Sequence, residues 1–150
     1  MQQKWRSGWM KVIMVPTDIK ELPVSFMNED HREFSIRLDQ LEQLISSGQE
    51  EHFAEIDCLF ADLLEHTREH FERENEEMAR INFPPYQAHR AEHERVLAGL
   101  EELLERWESE RDMAWLKVQV DNLAMWFEMH LETMDTVTAH FIAQALSLIH

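Results

Sequence analysis

Residues 53–78, FAEIDCLFADLLEHTREHFERENEEM, decide the fold. Side chains of one character recur in this segment every three or four positions, which is the repeat of one face of an α-helix. The first part of this face is apolar, whereas its end carries His70 and Glu74. Burying polar groups without partners costs several kcal/mol each, so partners from other parts of the chain are expected. The face consists of Phe53, Ile56, Phe60, Leu63, Thr67, His70, Glu74 and Met78.

Three other segments show the same repeat, and in each of them one or more histidines interrupt an apolar stripe. The first stripe consists of His31, Phe34, Leu38, Leu41 and Ile45. The third consists of Tyr86, His89, His93, Val96, Leu100, Leu103 and Trp107. The fourth consists of Leu116, Val120, Leu123, Phe127, His130, Met134, Val137 and Phe141.

Capping and breaking residues predict where these helices begin and end. Asn28 or Asp30 is the predicted N-cap of the first helix, and Gly48 is its C-terminal stop. The second helix should end before Pro84, and the fourth should extend close to the C-terminus. Short connections between amphipathic helices imply antiparallel neighbours. The sequence therefore predicts an all-α protein, an up-down-up-down antiparallel four-helix bundle over residues 28–150.

The N-terminal residues 1–27 have a mixed character. Trp5 and Trp9 are apolar, but Pro16 and Pro23 prevent a continuous helix. These residues are predicted to form an irregular arm that packs along the bundle. A chain of 150 residues suits one domain with a buried core, so the arm and the bundle together should form a single domain.

Composition excludes several classes of partner. The formal net charge of −16 leaves no basic surface for the phosphates of nucleic acid and disfavours an anionic membrane surface. Cys58 is the one cysteine, so no disulfide can form within the chain, and its place beside the apolar stripe predicts a free surface thiol. The apolar run from Val12 to Val15 is too short for a secretion signal, and no stretch is long enough to span a membrane. A cytoplasmic protein is expected.

Metal ligands explain the polar residues on the buried stripes. His70 and Glu74 are four positions apart, about 40° around a helix, so both side chains point into one space. His130 and Asp135 are five apart, about 140°, which requires either a long reach by the carboxylate or a π-type turn. One pair alone is a weak signal, but all four helices carry such residues. The predicted metal ligands are His31, His70, Glu74, His89, His93, His130 and Asp135.

Three short motifs resemble the hemerythrin family, particularly its bacterial members. The first begins at His70 and reads HFxxExxxM; the second is His89-x3-His93. The third begins at Trp126 and reads WxxxHLxxxD. The resemblance covers roughly residues 28–142, which include all four predicted helices.

Carried over residue by residue, the resemblance implies two iron ions joined by an oxo or hydroxo bridge and by the carboxylates of Glu74 and Asp135. The second ion would have only His31 and His70 besides the bridges, which leaves its sixth position free for dioxygen. Three histidines would complete the first ion: His89, His93 and His130. Apolar neighbours are the predicted wall of the oxygen pocket: Phe34, Val96, Trp126, Phe127 and Leu131.

This sequence departs from the family pattern at a few positions. Asn75 stands where many relatives have a second glutamate. Asn28 stands where relatives often have aspartate, so Asp30 is the expected substitute that orients His31. His66 lies one turn before His70, and is either a pocket residue or a rival ligand.

Reversible dioxygen binding, for transport, storage or sensing, is the function that the resemblance implies. A sensor would need a separate signalling partner. The alternative is a di-iron oxidoreductase with peroxidase-like, nitric oxide-reducing or iron-oxidising activity, which would need a reductant. Asn75 and His66 favour it, and so does the N-terminal arm, whose tryptophans Trp5 and Trp9 lie further upstream than the family's usual tryptophan. A metal-free interaction bundle is the third reading. The sequence predicts no particular oligomeric state.

Overall fold

A computed structural model describes residues 20–149, and the predictions for Trp5, Trp9 and Pro16 lie outside that range. The described chain contains helices and no strands, which confirms the predicted all-α four-helix bundle. A 3₁₀ turn precedes α2, and a π-helical turn joins α4 to α5 within the fourth long helix. The bounds are α1 Ser25–Ser47, α2 Phe53–Arg80, α3 Tyr86–Glu110, α4 Met113–His130, the π turn Leu131–Asp135 and α5 Thr136–Ile149.

The first helix begins at Ser25, earlier than predicted, and Val24 rather than Asn28 or Asp30 is its N-cap residue. The predicted caps are wrong because both side chains have other partners. The Asn28 amide accepts from the Leu22 amide N–H at 2.7 Å and donates to the Leu22 carbonyl at 2.7 Å. It therefore fixes the chain just before the helix.

The other predicted helix ends agree with the structure. Gly48 follows α1 with φ of 67°, the left-handed conformation that glycine adopts without steric penalty, and its N–H donates to the Ile45 carbonyl. The second helix ends at Arg80, before Pro84. At the start of α4 the Asp112 side chain accepts from the backbone N–H of Trp115 at 3.0 Å, which is an ordinary N-cap.

The four stripes meet in one core, where α1 packs against α2 and α4, and α2 also packs against α3. Every predicted stripe residue of α1 is buried, whereas the stripes of α2 and α3 include three half-buried residues, Phe53, Tyr86 and Leu103. None of the helices among residues 20–149 is long and apolar enough to cross a membrane. Cys58 is exposed and free, as predicted.

The fourth helix departs from its predicted stripe. Val137, expected inside, is 57% exposed, and Phe141 is only half-buried. Thr138, Ala139 and Ile142 are buried in their place. The reason is the π turn, which holds one more residue than an α-helical turn and so rotates every later side chain by about 100° relative to the predicted stripe.

Candidate metal centre

Side chains from all four helices converge in the middle of the bundle. They form two groups that share Glu74 and Asp135, and within each group the potential ligand atoms lie within 4.8 Å of one another. Every member is buried, with at most 6% of its surface exposed. The members are the seven predicted ligands: His31, His70, Glu74, His89, His93, His130 and Asp135.

A π-helical turn brings Asp135 to the same face as His130, as one of the two predicted solutions required. Nε2 of His130 lies 3.1 Å from Oδ1 of Asp135. Threonine hydroxyls stabilise the turn: Thr133 donates to the Met129 carbonyl and Thr136 to the Leu131 carbonyl, each at 2.7 Å. The local sequence therefore satisfies carbonyls where the backbone changes its hydrogen-bond spacing.

The two oxygens of Glu74 face different histidines. Oε2 lies 2.9 Å from Nε2 of His70. Oε1 lies 3.2 Å from Nε2 of His93 and 3.6 Å from Nε2 of His89. One carboxylate thus presents one oxygen to each side of the centre.

Asp135 repeats this division. Its Oδ2 lies 3.0 Å from Nε2 of His31. Its Oδ1 lies 3.1 Å from Nε2 of His89 and 3.1 Å from Nε2 of His130. The centre therefore has a side with three imidazoles and a side with two, and each carboxylate spans both.

Several of these inward-facing atoms lie close to one another but have no partner at hydrogen-bonding geometry within residues 20–149. They include Nε2 of His31, Nε2 of His93, both oxygens of Glu74 and Oδ1 of Asp135. Leaving so many buried polar atoms unsatisfied is costly, at about 1–3 kcal/mol for each group. Imidazole nitrogens and carboxylate oxygens are good ligands for divalent transition metals, and bound cations would satisfy all of these atoms. The residues present fit a pair of metal ions.

Outer hydrogen bonds hold the rings of His70, His89 and His93 with Nε2 directed inward. Nδ1 of His89 bonds to the Thr138 hydroxyl at 2.9 Å. Nδ1 of His93 donates to Oδ1 of Asn75 at 2.9 Å, so Asn75 orients a ligand. Such partners fix the ring and tautomer that a metal needs.

Asp30 orients His70, and the prediction that it substitutes beside His31 is therefore corrected. Its Oδ2 accepts from Nδ1 of His70 at 2.8 Å. The α-helix directs the side chains of adjacent residues about 100° apart, so Asp30 faces α2 while His31 faces the centre. His66 bonds through Nε2 to the Asp30 carbonyl at 3.1 Å, and the structure thus places His70, not His66, beside Glu74.

A small enclosed cavity adjoins the side with two imidazoles. Its volume is about 10 Å³, close to what one water-sized molecule needs. Three of the predicted wall residues line it, and Val96 and Leu131 are buried outside its lining. The lining consists of His31, Phe34, His66, Thr67, His70, Phe71, Trp126, Phe127, His130 and Asp135.

Aromatic rings cover the side with three imidazoles. Phe71 stacks on His93 with ring centroids 3.9 Å apart. Trp126 stacks on His130 at 4.6 Å, and its Nε1–H donates to Glu92 at 2.8 Å. The sequence signal for Phe71 was its place directly after His70, but spacing alone did not assign it to the cavity.

Without metal, protons carry the positive charge in the centre. Burial opposes protonation of His70, but the carboxylates of Glu74 and Asp30 outweigh it and raise the pKa of His70 to about 10. Burial also opposes ionisation of Glu74, but His70 and the neighbouring histidines hold the pKa of Glu74 well below its usual range. Metal binding must therefore displace a proton from His70.

This pKa predicts how the stability of the metal-free protein depends on pH. A histidine whose pKa rises from 6.5 to about 10 on folding stabilises the fold fully below pH 6.5 and loses this effect as pH approaches 10. The free energy of unfolding, measured in urea with a chelator present, should be roughly 3 kcal/mol smaller at about pH 9.5 than at about pH 7. His70→Gln should largely remove this difference; an equal loss in that variant would contradict the assignment.

Comparisons with known proteins agree with the geometry. Residues 22–140 match the family model described as hemerythrin HHE cation binding domain. A bacteriohemerythrin from Ralstonia nicotianae is 39% identical over 79 residues, which are 53% of this chain and 57% of that protein. A bacteriohemerythrin from Aquifex aeolicus is 27% identical over 132 residues, 85% of this chain and 96% of that protein. No solved structure gave a significant match.

The matched region extends from before α1 into α5 and contains all seven clustered side chains. It covers far more than half of the sequence, and it ends beyond the π turn that positions Asp135. On this basis the chain belongs to the hemerythrin family.

Proposed function

We propose that this protein holds two iron ions joined by an oxo or hydroxo bridge and reversibly binds dioxygen at one of them. The observation that supports this proposal most strongly is the unequal division of the five histidines between the two sides of the centre. His89, His93 and His130 lie on one side, and His31 and His70 on the other. Together with one oxygen from each shared carboxylate and the bridge, the first ion would have six ligands and the second five.

The five-coordinate position would be the one held by His31 and His70. Two ferrous ions would supply the two electrons that dioxygen takes up on binding. Glu74 and Asp135 would bridge the ions, because each presents one oxygen to either side. The cavity supports this assignment, since both histidines of this side line it, whereas His130 alone lines it from the other side.

The cavity wall would protect the bound ligand. Phe34 and Phe127 lie with ring centroids 4.5 Å apart, and both are about 5% exposed. Such an apolar wall keeps out the water and protons that convert reversible binding into irreversible oxidation. The cavity itself, with a volume of about 10 Å³, is close to the size of one small molecule.

An oxygenation cycle combined with iron analysis tests the proposal. The protein from iron-replete cells should contain about two iron ions per chain. After anaerobic reduction, exposure to dioxygen should produce a visible charge-transfer band that disappears when oxygen is removed. Irreversible oxidation in the first cycle, or less than one iron per chain, would overturn it.

A smaller wall residue should make oxidation faster. Phe34→Leu enlarges the cavity beside His31 and admits water, so the rate of irreversible oxidation in air should rise roughly tenfold. Phe60→Leu is the matched control, because Phe60 is also buried in the core but does not line the cavity. Equal oxidation rates in the two variants would show that the cavity wall is not what protects the iron from irreversible oxidation.

The second candidate is a di-iron oxidoreductase at the same centre, and His66 is the observation that favours it. This half-buried, titratable side chain lines the cavity and would admit protons to it. Sustained turnover of peroxide or nitric oxide with an added reductant would support this candidate.

A cytoplasmic location, a single domain and a separate signalling partner stay predictions.

A further inference from the structure

Asp30 joins α1 to three residues of α2 at the edge of the centre. Its Oδ2 accepts from Nδ1 of His70 at 2.8 Å. Arg73 donates to both oxygens of the same carboxylate, from Nε at 3.0 Å and from Nη2 at 2.6 Å. The backbone carbonyl of Asp30 accepts a hydrogen bond from Nε2 of His66 at 3.1 Å. The result is a continuous chain of contacts from the protein surface through Arg73 and Asp30 to His70.

His70 differs in this respect from the other histidines of the centre. The outer nitrogens of His89 and His93 bond to neutral groups, the hydroxyl of Thr138 and the amide of Asn75. Nδ1 of His31 and Nδ1 of His130 have no hydrogen-bond partner among the described residues. Within the described centre, His70 is therefore the histidine whose outer nitrogen donates to a carboxylate.

The charge of that carboxylate changes the ligand. A carboxylate that accepts from Nδ1–H draws the proton outward and makes Nε2 a stronger electron donor. A stronger donor stabilises the more highly charged state of the metal. Arg73 opposes this effect, because its guanidinium competes for Oδ2 of Asp30, the oxygen that accepts from His70.

We propose that Asp30 is a positioning residue that makes His70 a stronger electron donor to the His31/His70 metal position, and that Arg73 sets the strength of this effect from the surface. The inference rests on the proposed iron occupancy. It adds to that function a control of oxygen affinity, because the oxygenated state is the oxidised one. The Arg73 side chain is 45% exposed, so a substitution at this position alters the charge beside Asp30 without disturbing the packing of the core.

Two substitutions that remove opposite charges test the proposal. Asp30→Asn keeps the shape but removes the negative charge, so the reduction potential of the loaded centre should rise and dioxygen should dissociate about tenfold faster. Arg73→Met removes the competing cation, so the potential should fall and dissociation should slow, by about twofold because the pair is partly exposed. A purely structural role predicts damage of the same kind in both.

Two further variants complete the design. The double variant Asp30→Asn/Arg73→Met should have the same reduction potential and dissociation rate as Asp30→Asn alone, because Arg73 acts through Asp30. Asn75→Asp gives His93 a carboxylate partner and should lower the potential.

In the metal-free protein, NMR should show the His70 Nδ1–H proton far downfield, and its resonance should move upfield in Asp30→Asn.

The outcomes separate this inference from the proposed function. Opposite shifts in potential would support it even if dioxygen binding proved irreversible. Shifts of the same sign, or none, in variants that retain their iron and their thermal stability would overturn it. A protein that takes up no iron would overturn both.

Discussion

Glu74→Gln should abolish the metal pair. The glutamine is nearly the same size but neutral, so it cannot present one anionic oxygen to each side as Glu74 does. Loss of a bridging ligand should weaken binding at both positions by at least the ~100-fold that the loss of an outer partner can cause. Iron per chain should fall from about two to below one after gel filtration, with the helical circular dichroism retained.

Glu76→Gln is the matched control for this experiment. Glu76 lies two residues further along α2 and is exposed, so its substitution removes the same charge without touching the centre. It should retain the full iron content. If Glu74→Gln also keeps two ions per chain, Glu74 does not bridge them and the proposed ligand set is wrong.

Deleting Thr133 should leave the bundle folded and its metal pair in place, although a residue is lost from the middle of the fourth helix. Thr133 is exposed within the π turn. Its removal leaves Asp135 four positions after His130, about 40° around an ordinary α-helix, so the carboxylate stays on the inner face. The buried residues that follow, such as Thr138 and Ile142, keep their direction as well. Iron content and the urea midpoint measure the outcome.

Deleting Asn122 should have the opposite effect. This residue is also exposed, but it lies in the regular α-helix of α4. Its removal rotates the helix before it by about 100° relative to the helix after it, so Leu116 and His130 can no longer both face inward. The protein should lose its iron and its cooperative unfolding. Similar behaviour of the two deletions would show that the π turn does not hold a removable residue.

The helices could be predicted from the sequence because their apolar repeat runs almost unbroken, and Gly48 marks one end by its left-handed conformation. The N-cap could not. Asn28 and Asp30 are both good capping residues by type, but Asn28 closes onto Leu22 and Asp30 onto His70. These contacts depend on neighbours brought near by the fold, which spacing along one helix does not contain.

The cluster of seven could be predicted because buried histidines and carboxylates are rare without a shared partner. The five-residue spacing of His130 and Asp135 offers a π turn as one of two solutions, the other being a long reach by the carboxylate. The effect of the turn on later residues was missed, so Val137 was expected inside and Thr138, the partner of His89, was not foreseen. The bond between Asn75 and His93 joins two helices, and no periodicity within either helix indicates it.

The centre takes its side chains from α1 through to the end of the π turn, from residue 31 to residue 135, a separation of 104 positions. A bound metal pair would therefore act as a cross-link between distant parts of the chain. Like a long-range disulfide, it would reduce the conformational entropy of the unfolded ensemble, and it would do so without any cysteine pair. Because the cross-link dissociates, the resistance of this bundle to unfolding would follow the concentration of free metal around it.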